Sequence, residues 1–249
     1  MNVYWLEQAE ADVPADDGWL AISEIQHLSH LQVPKRRVDW RLGRWTAKLA
    51  VAMHLQVPLD NQSLRDVEIL ADSSGAPWVC LKKRTAALSI SITHRTGMAA
   101  CAVAPSGAGL GCDLELVEAH SDVFIADYFT AEEQAMIAQA GGGERDKLVA
   151  TLWSAKESAL KALRFGLRAD TRWVAVSLGD GWSTSAEESP AWERQPLLSA
   201  SPTKEWLNLQ ARYKDGQVLQ GWWRTPGRFT RTVVTTHATN TPVLLTVQS

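Results

Sequence analysis

The sequence lacks most of the features that would assign it quickly to a class of protein. There is no run of about 18 apolar residues, so no transmembrane helix is expected. The 25 lysines and arginines and 28 aspartates and glutamates give a net charge of −3. A dedicated nucleic-acid-binding protein is usually strongly basic, so that class is not expected. The first residues, Met1–Pro14, hold no basic stretch followed by an apolar core, and no secretory signal peptide is expected.

Cysteine is scarce as well. The three cysteines, Cys80, Cys101 and Cys112, form no C-x-x-C pair. A disulfide framework and a cysteine-based zinc site are therefore not expected, and a reducing, cytoplasmic environment fits the composition. The rest is typical of a globular protein, since 45% of the 249 residues are hydrophobic and 21% are charged. This length is sufficient to bury one large core or two smaller ones.

Hydrophobic periodicity predicts an α+β protein without regular βαβ alternation. After Pro34, apolar residues recur at helical spacing as far as Ala52, and a stripe of arginines and lysines follows the same spacing. Two more helices are predicted over about 130–140 and 146–164, separated by glycines. Strands are predicted over 88–93, 98–104, 110–117, 207–214, 217–223, 229–237 and 243–247. The segment Pro105–Gly109 is the best candidate hinge, which divides the chain into halves 1–106 and 107–249.

An acidic pair lies on the strand predicted to begin at Leu110. Residues two apart on a strand share a face, so Asp113 and Glu115 point to one side with alpha-carbons about 7 Å apart. Two such carboxylates can converge on one hard cation, and Mg²⁺ suits this arrangement. A solvated polar strand face is the alternative for these two residues alone.

The helix at Trp153–Lys161 carries a second charged pair. Glu157 and Lys161 are four residues apart in the order that favours a surface salt bridge, which is one interpretation. Their helix face also carries Trp153 and Leu160, and charged groups on a largely apolar face indicate a site instead. Thr130 and Glu133 form a capping box, which explains both residues structurally.

The order and spacing of these motifs resemble the 4′-phosphopantetheinyl transferases of the surfactin-synthetase-activator type. The resemblance rests on Gly111–Glu115 (G-C-D-L-E), Phe129–Glu133 (F-T-A-E-E), Trp153–Lys161 (W-S-A-K-E-S-A-L-K) and the strand end Ser91–His94. Lys35–Arg37 with Gly43–Arg44 is similar to the basic helix of the siderophore (enterobactin-type) branch. The motifs span residues 35–161, about half of the chain.

The resemblance implies a reaction and a fold. The 4′-phosphopantetheine arm of coenzyme A moves to a serine of an acyl- or peptidyl-carrier protein, and 3′,5′-ADP leaves. The fold it implies is two similar α+β halves about a pseudo-twofold axis, with the active site between them. The implied protein is a monomeric holo-[carrier protein] synthase with no nucleic-acid or membrane partner.

The resemblance also implies roles for individual residues. Asp113, Glu115 and Glu157 would hold Mg²⁺, with Glu157 also the general base and Glu133 a possible support. Lys161 would stabilise the leaving phosphate, and Lys156 and His94 would bind pyrophosphate oxygens. Thr93 would donate a hydrogen bond to coenzyme A, and Arg36 and Arg44 would bind its 3′-phosphate.

One motif departs from the family pattern, and both His94 and the function have alternative interpretations. Many relatives have Gly-Lys-Pro where this chain has Gly75-Ala76-Pro77. Two alternatives follow: one of the basic residues at 82–84 replaces that lysine, or the affinity for the nucleotide is weaker. A lone histidine such as His94 is more often structural. The rival functions are a Mg²⁺-dependent phosphohydrolase with water as nucleophile and a non-enzymatic carrier-binding protein.

Overall fold

The first half of the chain wraps a sheet around one long helix. The computed structural model describes residues 1–179 and 205–247. The elements of the first half are β1 (Tyr4–Ala9), α1 (Ile22–His30), α2 (Pro34–His54), α3 (Asn61–Arg65), β2 (Val67–Ala71), β3 (Pro77–Leu81), β4 (Arg84–Thr85), β5 (Leu88–Arg95) and β6 (Met98–Pro105). Pro34 begins α2, a position where its missing N–H is not needed.

The second half repeats this arrangement. Its elements are β7 (Leu110–Leu116), α4 (Asp122–Tyr128), α5 (Ala131–Gln139), α6 (Gly142–Ala162), β8 (Val174–Leu178), β9 (Leu207–Tyr213), β10 (Val218–Arg224), β11 (Phe229–Thr235) and β12 (Val243–Leu244). Three short 3-10 helices lie at Glu10–Asp12, Gly166–Arg168 and Thr171–Trp173. The sequence predicted the start of α6 too late, because the helix begins within the glycines, at Gly142.

The two halves share one strand order. The second sheet runs β7-β11-β10-β9-β8, and the first runs β12-β1-β6-β5 with β2-β3-β4 as a separate small sheet. If β1, β6, β5, β3 and β2 are matched to β7, β11, β10, β9 and β8, the orders agree. Helices α2 and α6 have 21 residues each. The α+β class and the two similar halves are therefore confirmed.

The halves meet in an apolar cluster that combines small residues with Trp5 and Trp206. Ala100, Ala102 and Ala104 on β6 pack with Leu110 and Cys112 of β7 in a shared apolar cluster. The division at residue 106 stays a prediction, and β12 pairs with β1, so the end of the described chain returns to the first sheet. Within the described residues, none of the helices is both long and apolar enough to cross a membrane.

Each half contains a buried lysine–glutamate pair in the same place. In the first half, the Nζ of Lys48 lies 2.6 Å from Glu24 and donates to the carbonyls of Leu64 and Val67. Glu24 also accepts the backbone N–H of Ile69 in β2. The pair therefore joins α2, the start of α1 and the segment around β2.

The second half reproduces these contacts. The Nζ of Lys156 lies 2.8 Å from Glu133 and donates to the carbonyls of Thr171 and Val174. Glu133 accepts the N–H of Val176 in β8. Both lysines have no exposed surface. Burial lowers the pKa of each lysine, and the charge of its glutamate partly opposes that shift.

We expect Lys48→Met and Lys156→Met each to lower the free energy of unfolding by about 3–5 kcal/mol, because each leaves a buried glutamate without its counter-ion. Urea denaturation measures the change. Lys35→Met is the control, since Lys35 pairs with Asp39 on the surface with 76% of its side chain exposed. That variant should lose less than about 1 kcal/mol. Equal losses in all three variants would show that the buried pairs have no special role.

Candidate active site

Six of the nine predicted site residues line one cavity at the seam between the halves. The cavity has a volume of about 220 Å³. Strand β5 contributes Thr93 and His94, β7 contributes Asp113 and Glu115, and α6 contributes Glu157 and Lys161. The structure therefore brings together residues that are separated by up to 68 positions in the sequence. The arrangement requires that β7, β5 and α6 lie in contact.

Gly111 allows α6 to rest directly on β7. A Cβ atom at Gly111 would lie 1.8 Å from the carbonyl oxygen of Ser158 and 2.7 Å from the backbone nitrogen of Ala162. No other residue fits in that space without moving the helix. The close approach places Asp113 and Glu115 of the strand beside Glu157 and Lys161 of the helix, which explains the glycine that opens the G-C-D-L-E motif.

Asp113 is the centre of the polar contacts. Its Oδ1 accepts hydrogen bonds from Thr93 Oγ1 at 3.0 Å and from Lys161 Nζ at 2.7 Å. Its Oδ2 is buried and has no hydrogen-bond partner. Buried carboxylate oxygens normally have a partner, so this atom is an open coordination position within the protein.

Lys161 is surrounded by acceptors. Its Nζ donates to the carbonyl of Cys112 at 3.1 Å and lies 3.6 Å from Glu157. Burial alone lowers the pKa of Lys161, but the charges of Asp113 and Glu157 outweigh it and raise the pKa above its ordinary value. The ammonium is therefore charged at neutral pH. The pair Glu157–Lys161 is part of this cluster and is more than an exposed salt bridge.

The other two carboxyl groups are harder to ionise than usual. Burial and the nearby charge of Asp113 raise the pKa of Glu115 and of Glu157 from 4.5 to about 7. Arg95 opposes the shift at Glu115, with its Nε 3.2 Å from the carboxylate. The site therefore disfavours further negative charge beside Asp113, and full ionisation of Glu115 and Glu157 calls for additional positive charge.

This donor set fits a hard divalent cation. A divalent cation would balance the negative charge of Asp113, Glu115 and Glu157 and would give the buried Oδ2 of Asp113 a partner. Among the described residues, no three acidic, histidine or cysteine side chains already converge on one metal position. Lys161 Nζ lies between Asp113 and Glu157 and provides part of the missing positive charge.

A second, larger cavity of about 600 Å³ adjoins the first and shares Ile92 and His94 with it. Arg36 and Arg44 of α2 line its wall, facing the Gly75–Pro77 segment. No ion pair joins either arginine to a carboxylate in the part of the chain that the structure describes. A third cavity, of about 230 Å³, shares Gly75, Pro77, Ile92 and Lys161 with its neighbours, so the three form a continuous cleft.

Three predicted roles need correction. Lys156 was expected to bind pyrophosphate, but its ammonium is fully buried against Glu133 and lines none of the three cavities. Glu133 is accordingly the partner of Lys156 and a helix cap, and it does not support the carboxylate cluster. Thr93 was expected to donate to coenzyme A, but its hydroxyl proton is already donated to Asp113. A hydroxyl has one proton to donate.

His94, in contrast, is exposed at the end of the polar face of β5. It has no hydrogen bond among the described residues, so nothing there supports a purely structural role. The sequence analysis missed Arg95, which binds Glu115 and Glu118. A charged residue directly after the strand-end histidine was the available signal. Lys82 and Lys83 lie on the turn between β3 and β4, and Arg84 begins β4. None of the three lines either of the larger cavities, so nothing in the structure supports their replacing the missing lysine at Ala76.

The raised pKa values predict how stability depends on pH without metal. Between pH 4.5 and 7 the folded state binds more protons at Glu115 and Glu157 than the unfolded state does. The free energy of unfolding in EDTA should therefore fall as pH rises through this range. Urea denaturation from pH 5 to pH 8 should give a smaller fall for Glu157→Gln than for the wild type. Glu144→Gln, at an exposed residue, should match the wild type; identical slopes for all three proteins would contradict the pKa assignments.

Comparison with known proteins identifies the family. Residues 109–212 match the family model described as 4′-phosphopantetheinyl transferase superfamily. A holo-[acyl-carrier-protein] synthase of Streptococcus agalactiae is 33% identical over 84 residues, which cover 34% of this chain and 71% of that protein. A synthase of the same name from Streptococcus uberis is 37% identical over 60 residues, which cover 24% of this chain and about half, 51%, of that protein.

The longest of these matches extends through both halves. The 4′-phosphopantetheinyl transferase HetI of Nostoc is 22% identical over 195 residues, or 78% of this chain and 79% of that protein. The match to the family model begins at residue 109 of this chain. The matched residues therefore include β7, α6 and their carboxylates, but not α2. The siderophore-type branch, which rests on α2, therefore stays a prediction. Together, the fold, the cleft and these matches establish that the chain belongs to the 4′-phosphopantetheinyl transferase superfamily.

Proposed function

We propose that the protein transfers the 4′-phosphopantetheine arm of coenzyme A to a serine of an acyl- or peptidyl-carrier protein and releases 3′,5′-ADP. One observation carries the proposal: the carboxylate cavity with Lys161 opens beside a second cavity whose two arginines form no ion pair with any described residue. Coenzyme A likewise carries two separate anionic groups, a pyrophosphate and a 3′-phosphate. The names of the related synthases support the same activity.

The larger cavity suits the nucleotide end of coenzyme A. Arg36 and Arg44 are eight residues apart on α2, so they lie on one face about two turns apart. Guanidinium groups bind phosphate through paired, charge-assisted hydrogen bonds. His94, which lines both cavities, lies where the pyrophosphate would pass from one to the other.

The smaller cavity suits the reacting pyrophosphate. Asp113, Glu115 and Glu157 would hold Mg²⁺, with the buried Oδ2 of Asp113 as the open position. When bound, the metal would neutralise negative charge on the pyrophosphate and so stabilise the transition state. These residues are oxygen donors, as Mg²⁺ requires.

The chain's own groups supply the remaining steps. The serine oxygen of the carrier attacks the phosphorus that bears the pantetheine arm, and its proton passes to Glu157 directly or through a water molecule. The bond between that phosphorus and the bridging oxygen breaks, and 3′,5′-ADP leaves with the electron pair. Lys161 is held in the ammonium form by Asp113 and Glu157, so it can balance the charge on the leaving phosphate.

The proposal includes a monomeric, cytoplasmic enzyme whose partners are coenzyme A and a carrier protein, with no nucleic acid or membrane involved. The net charge of −3 supports the exclusion of nucleic acid. Which carrier protein is modified depends on how well its surface fits the surface around the cleft.

Mass spectrometry of candidate apo-carriers, incubated with the protein, coenzyme A and Mg²⁺, tests the proposal. The expected result is a carrier heavier by one phosphopantetheine, with 3′,5′-ADP formed only when carrier is present. Release of nucleotide without carrier would indicate the phosphohydrolase instead. No product with any carrier, from a folded protein that still binds one, would indicate the non-enzymatic alternative.

We expect Asp113→Ala to lower the transfer rate by at least about 100-fold, because changes that merely support metal ligands already cost 10–100-fold. Excess Mg²⁺ should not restore the rate. Asp122→Ala is the control, since Asp122 is exposed on α4 and pairs with Arg145 away from the cleft. Thermal melts must show that both variants are folded. A folded Asp113→Ala protein with the wild-type rate would remove the metal assignment.

We expect Arg44→Ala to raise the KM for coenzyme A by roughly 10- to 100-fold, the value of a lost charge-assisted interaction. The KM for 3′-dephospho-coenzyme A should change much less, because that substrate lacks the 3′-phosphate. Arg84→Ala, on β4 outside the two larger cavities, should change neither value. If Arg44→Ala raised both KM values equally, Arg44 would not contact the 3′-phosphate.

A further inference from the structure

Trp40 stands between the two arginines of the larger cavity. Arg36, Trp40 and Arg44 follow one another at intervals of four residues on α2, so they form a single column on one face. All three line the cavity of about 600 Å³. The column therefore presents an aromatic ring flanked by two cations to the space proposed for the nucleotide.

The ring of Trp40 contacts Arg44. The Cζ atom of Arg44 lies 4.9 Å from the centroid of the indole. Helical side chains lean towards the N-terminus of their helix, which brings Arg44 back over the residue one turn earlier. His27 of α1 stacks on the same indole, with centroids 5.3 Å apart and an interplanar angle of 25°. The indole thus contacts both α1 and the arginine.

The other interaction of Arg44 in residues 1–179 and 205–247 is the through-space attraction of the Glu24 carboxylate, which is itself bound to Lys48. No hydrogen bond or ion pair is formed by its guanidinium there, and its Nε is buried without an acceptor. A carboxylate partner would compensate the charge of the guanidinium and occupy several of its hydrogen-bond donors. A contact with an aromatic face holds the guanidinium and leaves its N–H groups free for a ligand.

We infer that Trp40 is a positioning residue that orients the guanidinium of Arg44 for the phosphate of the bound nucleotide. This inference rests on the proposed function, because it takes the 3′-phosphate of coenzyme A as the ligand. Trp40 need not contact the phosphate itself. Its effect should therefore appear in the discrimination between ligands that have the 3′-phosphate and ligands that lack it.

The test compares the KM values for coenzyme A and 3′-dephospho-coenzyme A in Trp40→Leu, Trp40→Phe and Trp173→Leu. Trp173 is the matched control, since Lys214 lies 3.0 Å from its ring and it lines neither of the larger cavities. Loss of a cation–π contact corresponds to roughly 3- to 30-fold, so Trp40→Leu should lose discrimination by that factor. Trp40→Phe should keep most of it, Trp173→Leu should keep all of it, and kcat should change little.

Two further measurements show that the effect acts through Arg44. Adding Trp40→Leu to Arg44→Ala should cause no additional loss of discrimination, because the group that Trp40 orients is already gone. Isothermal titration with 3′,5′-ADP and with 5′-AMP tests binding without turnover. Trp40→Leu should weaken the former much more than the latter.

The outcomes separate this inference from the proposed function. A wild-type protein that transfers nothing, or that treats both substrates alike, would reject the function or the ligand assignment. A wild type that discriminates through Arg44, with a Trp40→Leu variant that discriminates equally well, would overturn the inference alone. An equal loss of affinity for both substrates would also overturn it and would make Trp40 a platform for the base.

Discussion

The buried lysine–glutamate pairs are the contacts on which the positions of both long helices depend. Each lysine is the fifteenth residue of a 21-residue helix and projects into a region with no solvent, where it binds one carboxylate and two carbonyl oxygens. A charge in such a place is tolerated only when these partners are all present, so the helix has one register in which it can pack. In the second half, the residue after the lysine is Glu157. Successive residues on a helix point about 100° apart, so the anchor that faces the core also aims its neighbour at the cleft.

The same contacts show how the two halves differ in chemistry. In the second half, Glu157 directly follows Lys156, and Lys161 comes five residues after Lys156. The corresponding residues after Lys48 are Leu49 and Met53, which pack in the core of the first half. The first half instead places its arginines before the anchor, at Arg36 and Arg44. One topology thus supports an anion-binding surface in one copy and a carboxylate cluster in the other, and the cleft between them uses both.

Much of this organisation was predictable from local pattern. Alternation correctly placed Asp113 and Glu115 on one face of β7, and helical spacing placed Arg36 and Arg44 on one face of α2. The role of Lys156 was not predictable, because periodicity does not say which side of a helix meets the core when a charged residue has a buried partner 23 positions away. The role predicted for Thr93 was wrong for a similar reason, since the acceptor of its hydroxyl proton, Asp113, lies in the other half of the chain. The partners of polar groups depend on tertiary contacts, which the sequence pattern does not contain.

The contact at Gly111 gives the two sides of the cleft different tolerance to change. Backbone touches backbone between β7 and α6, so no side chain lies at that point to be repacked. Substitutions elsewhere in the second core would shift the strand and helix together and leave the spacing of their carboxylates intact. The opposite side is formed by long arginine side chains and the exposed His94, which can adjust individually to what is bound. Substitutions that accumulate in the sequence should therefore change the affinity for the nucleotide before they change the geometry of the carboxylate cluster where the reaction occurs.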